Sequence, residues 1–280
     1  MEQPEHRAEG AGPFTTRLTW HRPEGGTVVW ESRLARKRGA LSVRDHEGTV
    51  ATSPTADAAA LDRLRRLNAL ASGAFFLGGL LFALGAGVAQ FGSGDPVESA
   101  SIYFAGGVFF SIGGYTSLLQ VLNAPRHSPA DGALATTRWR WWGYEPMRLD
   151  WLSTFVLFAG TLVFGVNLLD SFLQGLSVQQ VNRLIWTPDV IGCVLFLVSG
   201  HLAFAEICHR SLPCLRSRSL GWWVVAVNQF GSVLFMVAAL AAFTRPTTQS
   251  LVNTDIANWG TLCGALCFAL GGVLQAFERP

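Results

Sequence analysis

Six long apolar blocks constrain this chain of 280 residues more than any other feature; they lie at about 69–91, 100–122, 151–173, 187–209, 219–243 and 255–277. A helix needs about 20 apolar residues to cross a hydrocarbon core about 30 Å thick, and each block reaches that length. Hydrophobicity within the blocks is continuous rather than confined to one face, so the expected elements are spanning helices that satisfy their backbone polar groups internally. Only 14% of the residues are charged and 50% are hydrophobic, a balance suited to lipid. The expected fold class is an all-α integral membrane protein. Residues 67–280 form six transmembrane helices as three tandem helical hairpins (about 69–122, 151–209 and 219–277), and 1–66 form a short cytoplasmic segment.

Charge sets the expected orientation. Of 21 Lys and Arg residues, 19 lie before the first block, in the even-numbered connections or after the last block, and only Arg183 and Arg245 lie on the other side. By the positive-inside rule both termini are cytoplasmic. The opposite loops carry Asp95, Glu98, Asp170 and Asp255. The start, "MEQPEHRAEG", lacks the basic-then-apolar order of a cleavable leader, so the first block is expected to be a retained anchor.

The stretch "TRWRWWGYEP", with Trp139, Arg140, Trp141 and Trp142, lies on the basic side just before the third block. Arginine among aromatic rings suits either single-stranded nucleic acid or a membrane surface. Position favours the membrane, because Trp151, Trp186, Trp222, Trp223 and Trp259 also fall at block ends. The expected partners are therefore the lipid bilayer and anionic headgroups, with an unknown protein partner or a second copy left open, and no nucleic acid.

An internal repeat runs through the blocks. "GGVFFSIGGYTSLLQ" from Gly106, "GCVLFLVSGHLAFAE" from Gly192 and "GALCFALGGVLQAFE" from Gly264 align, as do "GGLLF" from Gly78, "GTLVF" from Gly160 and "GSVLF" from Gly231. The even blocks share a small-large-small stripe: Gly106, Phe110 and Gly114; Gly192, Phe196 and Gly200; Gly264, Phe268 and Gly272. Residues four apart lie on one helical stripe, so each phenylalanine is a knob between two holes. In lipid, association rests on close contact and some hydrogen bonding, which makes these glycines packing surface first. All three hairpins enter and leave on one side, so an axis along the membrane normal would relate them. Mitochondrial carriers also have three hairpins, but their proline and charge motif is missing here.

Polar residues inside the blocks are few. His201, Asn167, Asn228 and Gln229 are either interhelical glue or the lining of a solute path. Gln120, Glu206 and Glu278 close the repeat on the cytoplasmic side. The simpler expectation puts them at water level, with Glu206 pairing with Arg210; a threefold arrangement would gather them into a polar ring. Cys193, Cys208, Cys214, Cys263 and Cys267 suggest no disulfide framework, and Cys263 and Cys267 read as small packing residues rather than a metal pair. "WTPDV" places Thr187 as a helix cap with Pro188 in the first turn.

The first 60 residues differ in kind. "TRLTWHRPEGGTVVWES" reads as a small hairpin, "RLARKRGALSVRDHEG" as a basic stretch lying on anionic lipid, and the whole as a weakly ordered tail. It carries no nucleotide-binding glycine loop, zinc spacing or nucleophile elbow, so no catalytic, cofactor or metal residue is expected.

"VVWESRLARKRG", "DWLSTFVLFAGTLVFGVN" and "IWTPDVIGCVLFLVSGHLAFAE" together resemble a family of bacterial, mostly actinobacterial, multi-span proteins, and the repeat units are similar to the YrhK-type membrane domain. The resemblance implies the bacterial inner membrane and carries no activity, ligand or catalytic residue. Three classes of function follow: first, a non-enzymatic module that packs, scaffolds or binds a partner; second, a small-solute channel or transporter with a polar path through Asn167, His201 and Asn228; third, a membrane enzyme, which the sequence hardly supports.

Overall fold

A computed structural model describes residues 7–21, 26–44, 50–52, 56–92, 96–127, 134–135, 138–216 and 218–278. Residues 22–25, inside the expected hairpin, fall outside them, as do Asp95 and Arg279.

The N-terminal segment is not a weakly ordered tail. Strands β1 (Arg7–Ala11), β2 (Phe14–His21), β3 (Thr27–Glu31), β4 (Ser42–Arg44) and β5 (Val50–Thr52) form an antiparallel sheet in sequential order, and helix α1 (Ser32–Arg38) interrupts it between β3 and β4. The expected hairpin is the β2–β3 pair, with Trp20 opposite Val28 and Leu18 opposite Trp30. Trp20, Val28, Leu41 and Val43 make a small core with Ala35 of α1. Helix α1 stops at Gly39, which adopts φ 57° and donates its N–H to Ala35 O.

Helix α2 (Ala58–Phe91) starts well before the first apolar block, because Asp57 caps it by accepting from the Ala60 N–H at 2.7 Å. Its early Leu64 and Leu67 are buried, so the segment "LDRLRRLNAL" packs against the protein as the first turns of the helix. Helices α3 (Pro96–Leu122), α4 (Leu149–Asp170), α5 (Val178–Val181), α6 (Thr187–Cys208), α7 (Leu220–Ala241) and α8 (Thr254–Phe277) follow. α5 runs into α6 through a π-helical turn at Asn182–Trp186. Thr187 is therefore inside a continuous helix and caps nothing; its hydroxyl donates to Asn182 O at 2.8 Å. Pro188 has no N–H to give, and the backbone widens just before it.

Six of these helical segments are long and apolar enough to cross a membrane: Ala58–Phe91, Val97–Leu122, Leu149–Asp170, Val178–Cys208, Leu220–Ala241 and Thr254–Phe277. The chain is a multi-pass membrane protein of three helical hairpins. The hairpins close into a ring in which each helix packs on the next and α8 returns to α2. The sheet covers one end of this ring. Outward faces carry apolar side chains such as Leu80, Val108, Leu162, Val194, Val237 and Leu270, which meet lipid.

Glycine and phenylalanine interlock inside each hairpin. A Cβ on Gly78 would fall 2.7 Å from the ring of Phe110, and one on Gly106 would fall 2.8 Å from the ring of Phe82. In the second hairpin Gly160 faces Phe196 and Gly192 faces Phe164; in the third, Gly231 faces Phe268 and Gly264 faces Phe235. Between hairpins, a Cβ on Gly114 would lie 3.2 Å from Phe158 Cα, and one on Gly272 would lie 2.8 Å from both Ser72 O and Phe76 N. Gly200 meets the side chain of Gln229 rather than a backbone.

Leu at Gly114 or Gly272 should force helix backbones apart, at a cost of about 1–3 kcal/mol or more. Thermal unfolding in detergent should show a lower midpoint for both variants and no drop for Val194→Leu, whose side chain faces lipid. Wild-type midpoints for the glycine variants would refute the seam.

Candidate functional site

The site forms where α1 meets the ring. Arg33, Arg36 and Lys37 sit at i, i+3 and i+4, so all three point from one face of α1. Each reaches a different hairpin. Arg33 clasps Glu278, just past α8, with two bonds of 2.7 Å. Arg36 donates to both Glu206 oxygens at 3.0 and 2.8 Å, and Ser32 adds a third bond to the same carboxylate at 2.8 Å. Lys37 donates to Gln120 Oε1 at 2.8 Å and to Asn68 Oδ1 at 2.9 Å.

Gln120, Glu206 and Glu278 are therefore not at water level; they are 0%, 1% and 6% exposed and converge under α1. The expected Glu206–Arg210 pair is replaced by Arg36, which stands over the carboxylate while Arg210 donates to Pro213 O. Sequence reading assigned Arg33, Arg36 and Lys37 to lipid, yet they are packed into protein. Their spacing within "SRLARKR" was the available signal, because three cations on one stripe need three acceptors together.

Beneath this lid lies a cavity of about 100 Å³, large enough for several waters. Small polar residues from several helices line it, including Ser117, Ser153, Ser199 and Ser232. Ser153 and Ser199 donate to each other's backbone carbonyls at 3.0 and 2.8 Å and tie α4 to α6. Asn228, Gln229 and Gln275 also line it, and among the described residues Asn228 Oδ1, Gln229 Oε1 and Gln275 Nε2 have no hydrogen-bond partner. Phe196 and Phe268 line it too.

Those two rings belong to a six-phenylalanine cluster across the bundle. Phe82, Phe164 and Phe235, one from each hairpin, lie with ring centroids 5.6, 6.2 and 6.4 Å apart. Phe268 lies 5.4 Å from Phe110 and 6.1 Å from Phe196. Within the hairpins the two sets touch at 5.3, 6.0 and 5.3 Å.

The polar candidates separate around this cluster. Asn228 and Gln229 line the cavity under α1, whereas Asn167 lines a second one, of about 210 Å³, near the far end. His201 is exposed on the outer face of α6 and lines neither. The three proposed path residues therefore share no cavity.

The tryptophan patch is also more structural than expected. Arg140 pairs with Glu145, which pairs with Arg148, which in turn pairs with Asp150, so carboxylates already hold these arginines. Trp141 and Trp142 are exposed, while Arg63 stands 5.5 Å over the ring of Trp139. Trp151 is not interfacial: it is buried, stacks on Phe155 at 4.7 Å and donates to Gly143 O at 2.9 Å. Trp222 donates to Cys214 O, and Trp223 is half-exposed. Cys208 and Cys214 form a disulfide that sequence reading did not expect; His209, at φ 52°, turns the chain back at the end of α6. Cys263 and Cys267 are free thiols.

Electrostatics make the lid pH-dependent. Burial pushes the Lys37 ammonium down to about 7, with the attraction of Glu278 opposing the shift and Arg36 and Arg33 adding to it. Burial resists ionisation of Glu278, but Arg33 outweighs it and holds the carboxyl below its usual range. Lys37 thus releases its proton more readily when folded, and from pH about 7 to 10.5 the unfolded chain binds more protons. Its contribution to stability rises with pH across that window. Unfolding midpoints should therefore show an upward slope between pH 7 and 9 that Lys37→Gln flattens; an unchanged slope would refute the shift.

Removing one partner of a buried pair typically costs about 3–5 kcal/mol. Arg36→Met should destabilise the lid strongly and speed amide exchange in Ser32–Arg38, whereas Arg36→Met with Glu206→Leu should recover part of the loss. Equal exchange in the single variant and wild type would show that the pair does not hold α1.

Compared with known proteins, the chain matches no family model, and no curated protein or solved structure matches it significantly.

Proposed function

We propose that this is a non-enzymatic scaffold of the bacterial inner membrane, with both termini cytoplasmic, whose ring of helices holds the sheet and α1 in one fixed pose for a protein partner. One observation carries the reading: Arg33, Arg36 and Lys37 bind one hairpin each, so the segment is fastened at three points. Two further features agree with it. The charge asymmetry favours a sheet inside the cell, and phenylalanines from all three hairpins stand between the two cavities.

The three hairpins read as copies of one unit about an axis along the membrane normal. Support comes from the recurring glycine–phenylalanine contacts and from the three polar ends that meet α1. Kinship with the YrhK-type domain fits this architecture and adds no activity.

A small-solute channel is the second reading, favoured by the two cavities, each with some polar lining, on either side of the phenylalanines. Flux distinguishes the two. Proteoliposomes containing the wild-type protein should show no ion or glycerol flux above empty vesicles, and Arg36→Met should leave them tight, because the phenylalanines remain. Flux in the wild type would replace the scaffold with the channel.

A further inference from the structure

The far cavity contains a group that the lid and the scaffold do not use. Asp189 lies near the start of the fourth apolar block, in the helical segment Val178–Cys208, and is half-buried. A half-buried carboxylate within a spanning segment is costly unless it is paired, which makes it a functional candidate. Among the described residues its hydrogen-bonding partner is a weak one: the Cys193 thiol, which donates to Oδ1 at 3.9 Å. Among the described residues no lysine, arginine or histidine lines the cavity with it.

The rest of the wall is aromatic and neutral. Phe82, Phe164 and Phe235 form one side, with Tyr103 beside them, and Asn167 and Asn258 supply amides. At about 210 Å³ the space exceeds what a bare metal ion fills. Neither a divalent metal nor a strongly hydrated ion suits it: the lining offers one carboxylate, whereas calcium takes six to eight oxygens. Aromatic rings attract weakly hydrated cations through their quadrupoles, and the combination of aromatic wall and single negative charge is how proteins hold quaternary ammonium groups.

The π-helical turn lies directly before this site. Asn182 anchors it by donating to Thr244 O at 2.8 Å and accepting from the Thr244 N–H at 3.1 Å, and Trp186 donates to Ala239 O at 2.8 Å. Such turns are frequent at functional sites, and these bonds set the rotation of the helix that carries Asp189. The geometry points to a binding site for a small organic ammonium ion in the far cavity, with Asp189 as counter-ion and Phe82, Phe164, Phe235 and Tyr103 as the aromatic wall.

The probe is tetramethylammonium chloride, titrated into the full-length protein in detergent and followed by calorimetry and by thermal midpoint. Sodium chloride at equal ionic strength and tert-butanol serve as charged and neutral controls. Tetramethylammonium should bind saturably and raise the midpoint, while neither control does. Asp189→Asn should weaken binding at least tenfold. Should that variant fail to fold, Tyr103→Leu, which keeps the carboxylate, should still weaken binding severalfold. Equal effects of sodium or tert-butanol on the wild type, or undiminished binding by Asp189→Asn, would overturn the proposal. Binding without flux leaves the scaffold reading intact, whereas saturable binding with ammonium flux keeps the site and removes that reading.

Discussion

Close approach of helices at glycine is the constraint on which everything else depends. Lipid gives helices no hydrophobic reason to associate, so the ring must be held by contact and by polar bonds. Each hairpin solves this locally: a glycine on either helix receives the phenylalanine of the other. The same rings then meet at the centre, so the residue that locks a hairpin also joins it to the other two. Packing within and between hairpins is thereby one network, and a larger side chain at a seam disturbs both.

The polar end obeys a different rule. Burying two carboxylates and three cations is costly, and the cost is met only if each charge finds geometry and extra donors. Arg33 forms a fork on Glu278, and Glu206 collects Arg36 and Ser32. Lys37 meets amide oxygens rather than a carboxylate, and its ammonium is the one that burial pushes down. The neutral Gln120, at the place where the other two hairpins carry glutamate, thus makes the lid asymmetric. Helix α1 has one orientation in which its face fits.

The sequence made the spans legible because continuous hydrophobicity needs no partner to be read. The glycines and phenylalanines were legible from their spacing, and they do meet in space. Burial of Gln120, Glu206 and Glu278 was not: at a helix end a carboxylate is normally wet, and only knowing that α1 lies above them changes that. The basic stretch of α1 misled for the same reason, since "RLARKRG" reads as a surface until the acceptors are placed. The sheet was understated because its strands are short and β4 and β5 span only three residues each. Asp189 was overlooked because a proline and a threonine beside it suggested a helix start, while the helix in fact runs through.

The clasp between Arg33 and Glu278 spans 245 positions of the chain. Arg33 leaves the ribosome before α2 does, and its carboxylate arrives after α8. The N-terminal segment must therefore wait, with its cations solvated or at the lipid surface, until α8 has inserted. Closure of the lid therefore follows the insertion of α8, and a chain interrupted before α8 holds Arg33 without its carboxylate.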